Sequence, residues 1–191
     1  MLKYFIQAII LSIIFTFLLG FAYPEITTLI AQKLFTSKAG GSLITKNDEI
    51  IGSELIGQNF SDPKYFWGRV SKTSPYPYNA AGSSGSNLSP ASTDLLASVK
   101  ERVANLKKFD PNNTKKIPID LVTSSASGLD PHISPEAAEY QVDRIASIRK
   151  INKEKLLLLI KEYTKDRQFG ILGEPTVNVL MLNLALDKDK P

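Results

Sequence analysis

The sequence contains no cysteine and only one histidine and one tryptophan in 191 residues. Without cysteine there is no disulfide, no thiolate metal site and no thiol nucleophile. The lone histidine, His132, would have to serve any triad or imidazole metal site by itself. G-x-S-x-G, Walker, kinase and zincin patterns are also absent. An independent enzyme is therefore not expected, and no catalytic or metal-ligating residues are assigned. Charge is scarce in another sense: 23 Lys and Arg stand against 19 Asp and Glu, a formal +4 that is dispersed along the chain. That balance does not make a nucleic-acid surface.

What the sequence does have is one long run without formal charge, Tyr4 to Tyr23, YFIQAIILSIIFTFLLGFAY. The 18 residues between its tyrosines span roughly 27 Å as a helix, close to the hydrocarbon thickness of a bilayer. Tyrosine at each end suits the two headgroup interfaces. The run reads as a transmembrane helix. A cleaved signal peptide is the competing reading, with Lys3 as its basic start and Gly20-Phe21-Ala22 as a cleavage site. A buried soluble helix fits poorly, because apolar runs this long rarely pack inside a small domain. Ala8, Ser12, Thr16 and Gly20 recur every four residues and share one stripe. Small residues at that spacing let a second helix approach closely in lipid.

Lys3 and the amino terminus flank one end of the run, and Pro24-Glu25 the other. Positive charge near a membrane end stays cytoplasmic. The expected organisation is a cytoplasmic tail (1–3), a transmembrane helix (4–23), a membrane-proximal helix and flexible joint (24–47) and an extracytoplasmic domain (48–191). The fold class is α+β: a single N-terminal transmembrane helix followed by one mixed α/β domain outside the cytoplasm. The 168 residues beyond Tyr23 are enough for one core.

Along that domain, apolar Ile26, Leu29, Ile30 and Leu34 continue a helix, and Gly40-Gly41 marks the joint. EIIGSELIGQNF (49–60) reads as one or two strands with Gly52 at a turn or bulge, and YFWGRVS (65–71) as another short strand. Residues 72–92 are a long loop rich in Ser, Gly, Pro and Asn, and a loop of that length is usually functional or disordered. A helix follows with Ser89 or Ser92 as its cap, ending at Asp110-Pro111. IPIDLVT (117–123) reads as a strand, Ser134 and Asn152 cap two further helices, and a last helix is expected to start near Pro175, with a strand over 176–183 as the alternative.

His132, in LDPHISP, is expected to sit in a turn fixed by Asp130 and to face solvent or bond backbone, with a polar partner contact as the alternative. The loop Ser84-Gly85-Ser86-Asn87 is a weak candidate for cradling an anion through backbone N–H groups. A loop that docks on a partner, or that fixes its own turns, is the better expectation. Tyr78, Asn79, Asp130 and His132 are the candidates for partner contact.

Five ordered blocks carry a resemblance: GSELIGQNF (52–60), YFWGRVS (65–71), PYNAAGSSGSNLSP (77–90), IPIDLVTSSASGLDPHISPEAAEYQVDRIA (117–146) and LGEPTVNVLMLNLALD (172–187). In these blocks and their spacing the chain resembles the KdpC family, the C subunits of bacterial Kdp-type potassium-transporting ATPases. Asp143 departs from the proline common after the Gln-Val pair, and Thr176 from the arginine or aliphatic residue common after Gly-Glu-Pro. The resemblance implies a complex in the cell's inner membrane: a channel-like A subunit, a P-type ATPase B subunit that hydrolyses ATP, and a small F peptide. It implies that the C subunit has no cofactor of its own, ATP and potassium belonging to the complex. It also implies a subunit needed for assembly and described as a catalytic chaperone raising ATP affinity, with Ser84 to Asn87 likened to a nucleotide-sensing signature. The orientation read from Lys3 puts that loop and ATP on opposite faces of the membrane. Direct nucleotide binding from the cytoplasm and a secreted soluble hydrolase remain the alternatives to an accessory subunit.

Overall fold

The structure is a computed structural model and describes residues 1–188. Its contacts divide the chain into two compact units, Met1–Ser53 and Glu54–Pro191.

The first unit opens with one continuous helical rod, Leu2–Leu34. It comprises α1 (Leu2–Phe17), a π-helical turn (Leu18–Ala22) and α2 (Tyr23–Leu34). The helix continues through Tyr23 to Leu34, as the spacing of Ile26, Leu29, Ile30 and Leu34 predicts. Pro24 has no N–H and its ring would strike the carbonyl four residues back, that of Gly20. The π turn sits where the ladder must widen to admit it. None of the rod's residues is buried, so its apolar side chains are left for lipid or a partner. By length and composition it qualifies as a membrane span. Its 33 residues run about 50 Å, longer than a hydrocarbon core of about 30 Å.

After a single turn of helix, α3 (Thr36–Ala39), comes a hairpin of β1 (Leu43–Lys46) and β2 (Glu49–Ser53). Asn47 and Asp48 both take positive φ, 52° and 63°, the mirror-image turn that matches strand twist in two-residue hairpins. The register shifts between Ile44, opposite Gly52, and Thr45, opposite Ile50. A bulge therefore lies beside Gly52, and the strand ends at Ser53, with no second strand in 54–60.

The second unit packs helices around a short sheet. Helix α4 (Thr93–Phe109) is capped by Ser92, whose Oγ accepts from Asp94 N at 3.2 Å. Then come β3 (His132–Ile133), α5 (Pro135–Tyr140), α6 (Val142–Arg149), α7 (Lys153–Tyr163), β4 (Thr164–Lys165), β5 (Thr176–Asn178) and α8 (Val179–Lys188). Ser134 and Asn152 cap α5 and α7 as expected. Strand β5 is central, antiparallel to both β3 and β4. The core gathers Phe66, Trp67, Leu121, Ile133, Ile145, Leu156, Val177, Leu182 and Leu186, all buried.

Three sequence expectations are corrected. Residues 65–71 are extended but form no strand; apart from an isolated bridge of Val70 to Ser124 they have no strand neighbour among the described residues. Side chains satisfy that backbone instead. Asn183 bonds both Phe66 N and O at 2.9 Å, and Gln141 bonds Trp67 N at 2.8 Å and O at 3.1 Å. Residues 117–123 hold a 3-10 turn at Ile119–Leu121 in place of a strand: Leu121 is fully buried, Ile117 and Val122 pack against the core, and Ile119 between them is 75% exposed. The last helix begins at Val179, because Thr176–Asn178 are taken as the central strand between two neighbours. Helix α8 then buries Leu180, Leu182, Asn183 and Leu186, nearly all round.

Candidate functional site

The loop of residues 72–92 is ordered by its own polar side chains and by the turn at 124–130. Ser71 Oγ donates to Gly128 O at 2.7 Å and accepts from Tyr78 N at 2.8 Å. Thr73 Oγ1 donates to Tyr76 O at 2.7 Å and accepts from Asn79 N at 3.0 Å. Asn79, buried, donates to Ser74 O and accepts from Ala81 N. These small hydroxyls and amides replace a secondary-structure ladder with turn chemistry.

Tyr78 is the centre of this arrangement. It takes a left-handed φ of 59°, unusual for a bulky residue. Its hydroxyl donates to Arg69 O at 2.7 Å. Its ring lies so close to Gly57 and Gly68 that an added Cβ at either would stand 2.4 or 2.8 Å from Tyr78 atoms. Burial, and next the nearby charge of Asp130, push its phenol up to about 12.

Asp130 is occupied on both oxygens. Oδ2 meets Arg69 Nη1 at 3.3 Å, and Oδ1 accepts from His132 N at 3.0 Å and lies 3.5 Å from His132 Nδ1. Burial opposes its ionisation, but the bonds from His132 and the Arg69 charge outweigh that and hold its carboxyl below the ordinary range. His132 opens β3 with its side chain one-third exposed. Asp130 and His132 are thus brought together as a turn, while Tyr78 and Asn79 face into the loop's own packing.

The serine-glycine segment is also tied down. Ser84 N donates to Ser127 O at 2.9 Å, and a Cβ on Gly85 would stand 2.8 Å from Ala126 O. The Ser84 N–H is therefore committed within the chain. Ser86 lines a cavity of about 550 Å³ with Trp67, Arg69, Leu95, Glu101 and Arg102. Asn87 has φ 50°. Arg102 lies over the Trp67 ring at 5.3 Å and donates to Leu121 O at 3.1 Å; burial lowers its pKa.

On the first unit, Ser12, Thr16 and Gly20 share a shallow groove with Ile13, Phe17 and Phe21. Ala8 lies one turn away on the same stripe.

The family model described as K+-transporting ATPase, c chain (KdpC) matches residues 5–188. The chain belongs to the KdpC family. A Potassium-transporting ATPase KdpC subunit from Methylococcus capsulatus is 53% identical over 187 residues, covering 98% of each chain. Those from Dechloromonas aromatica and Paraburkholderia phytofirmans are 54% and 51% identical, covering 94% and 95% of each chain. KdpC membership makes the chain a subunit of a potassium-pump complex. Asp143 makes two ion pairs, to Lys153 at 2.5 Å and Lys115 at 3.2 Å. Thr176 serves as the first residue of β5, opposite Lys165.

Sequence reasoning missed three residues that hold this KdpC domain together: Gln141, Arg144 and Asn183. Arg144 is buried, stacks 4.2 Å over Trp67, and donates to Gln141 Oε1 and to the carbonyls of Tyr65 and Pro63. Burial lowers its pKa to about 10. The available signal was a polar residue inside an apolar block, as in LNLALD.

Proposed function

We propose that the chain is the non-catalytic accessory subunit of an ATP-driven potassium uptake complex, anchored in the bacterial inner membrane with its amino terminus cytoplasmic and its α/β domain outside. Hydrolysis belongs to a P-type ATPase B subunit, and potassium passage to a channel-like A subunit, with a small F peptide beside them. ATP and potassium are the complex's ligands. The observation that carries this reading is the Leu2–Leu34 rod with no buried residue, coupled to KdpC membership over residues 5–188.

Small residues along Ala8, Ser12, Thr16 and Gly20 let the rod pack against the partners' helices, where small side chains favour close approach. An influence on ATP affinity would pass through those helices, because coupling requires only two states with different contacts. The intramolecular bond of Ser84 N to Ser127 O supports a loop that shapes its own domain over one that binds nucleotide.

Protease added outside sealed cells tests the topology. Digestion of the domain together with potassium-stimulated ATPase activity that disappears when the chain is deleted is the expected result. A protected domain would favour the cytoplasmic nucleotide-binding alternative. An intact mass starting after Ala22 would favour a secreted protein.

A further inference from the structure

We propose that the tip Phe169–Leu172 is a docking finger that inserts into an apolar recess on another subunit of the pump. The inference rests on the accessory-subunit reading and names a surface for it. Phe169, Ile171 and Leu172 are 83%, 75% and 54% exposed. Elsewhere in this unit, large exposed apolar residues stand singly in sequence, as Ile119 does, except for the pair Leu157 and Leu158 on α7; single ones need no explanation, whereas a cluster of three at one tip does. The finger is held in one shape. Gln168 N donates to Leu172 O at 2.8 Å, Leu172 N to Gln168 O at 2.9 Å and Gly170 N to Arg167 O at 3.0 Å. Its arms are β4 and the central strand β5, whose Val177 is fully buried. A preformed apolar tip loses little freedom on docking.

The charges around the tip select the kind of partner. Lys165, Asp166, Arg167 and Glu174 are all exposed, and their formal charges cancel. Arg167 and Glu174 pair at 2.5 Å. An apolar centre inside a mixed polar rim is the anatomy of a protein–protein interface. Insertion into anionic lipid calls for a rim rich in Lys and Arg, which this one is not. The occupant that fits is a recess with an apolar floor and polar rim groups of both signs.

The absence of cysteine makes a clean test available. A Gln168→Cys chain, labelled with an environment-sensitive fluorophore and held in an anionic nanodisc, is mixed with the separately purified remaining subunits. Assembly is expected to shift emission to the blue and to cut access of a soluble quencher at least fivefold, and Ile171→Asp in the same background should abolish both changes. The proposal is overturned if the nanodisc alone produces the shift, if raising the concentration of this chain alone produces it, if Ile171→Asp leaves it intact, or if an assembled, potassium-stimulated complex shows none. A pump that assembles and works fully without the chain would defeat the accessory-subunit reading instead, and ATPase activity distinguishes that failure from the others.

Discussion

The Asn183 side chain closes a two-bond ring on the backbone of Phe66, accepting from its N–H and donating to its carbonyl, both at 2.9 Å. Gln141 does the same for Trp67 at 2.8 and 3.1 Å. A side chain from α8 and one from the turn between α5 and α6 thereby stand in for the strand that would otherwise flank residues 65–71. Replacing Asn183 with Ala or Leu leaves a buried donor and a buried acceptor unmade. The expected cost is about 2–4 kcal/mol, read as a lower unfolding midpoint of the full chain in detergent. A loss below about 0.5 kcal/mol, the scale of an ordinary surface substitution, would contradict this account.

Arg144→Met keeps most of the volume but strips the donors from Gln141 Oε1 and the carbonyls of Tyr65 and Pro63. Relief of the buried charge offsets part of that loss. A destabilisation of about 1–3 kcal/mol is expected from unpaired acceptors and lost stacking on Trp67. Arg144→Lys should recover little, since an ammonium cannot reproduce the planar fork. Near-ultraviolet circular dichroism of Trp67, alongside urea unfolding, reports both effects.

Gly128 has φ +68°, and a Cβ there would stand 2.5 Å from Thr73 Cγ2 and 2.6 Å from Ser84 O. Gly128→Ala should cost at least about 2 kcal/mol through strain and clash and open residues 72–92 to protease. Gly41, at φ +84° with nothing within 4 Å, serves as the comparison: Gly41→Ala should cost about 1 kcal/mol. Limited proteolysis and thermal melts check the pair.

Asp130 has a depressed folded pKa, because the His132 bonds and the Arg69 charge outweigh its burial. The stability it contributes is full above the unfolded carboxylate value of about 3.9. It is lost as pH falls through the lower folded value. Partial exposure and salt screening keep the effect near about 1 kcal/mol. Asp130→Asn should remove that acid-side dependence while keeping an acceptor for His132 N–H. Unfolding midpoints from pH 6 down to pH 2.5, for both chains, provide the measurement.

Ser12→Leu or Gly20→Leu fills the groove that these residues share with Phe17 and Phe21. Co-purification with the membrane partners should fall severalfold, while Leu18→Ile, on another face, should leave recovery unchanged. Equal recovery of all three variants would remove the case for helix packing.

The rod was legible because eighteen uncharged residues between two tyrosines have one economical home, and the helix caps at Ser134 and Asn152 because capping is a local matter of a few residues. Less of the candidate site was legible. Asp130 and His132 were placed in a turn from LDPHISP, but nothing local reveals that Tyr78 turns inward against Gly57 and Gly68.

Sequence alone therefore determined the membrane-length helix, the α+β pattern, the want of thiol chemistry and the KdpC membership, since each depends on composition, short-range spacing or ordered blocks. Only the tertiary structure decided which groups satisfy the 65–71 backbone, why 117–123 is a turn, and that Phe169, Ile171 and Leu172 remain uncovered. The reason is distance along the chain. Asn183 and Gln141 lie 117 and 74 residues from the backbone groups they bond, and whether an extended segment pairs with a strand or a side-chain amide is settled only when the fold brings one of them there.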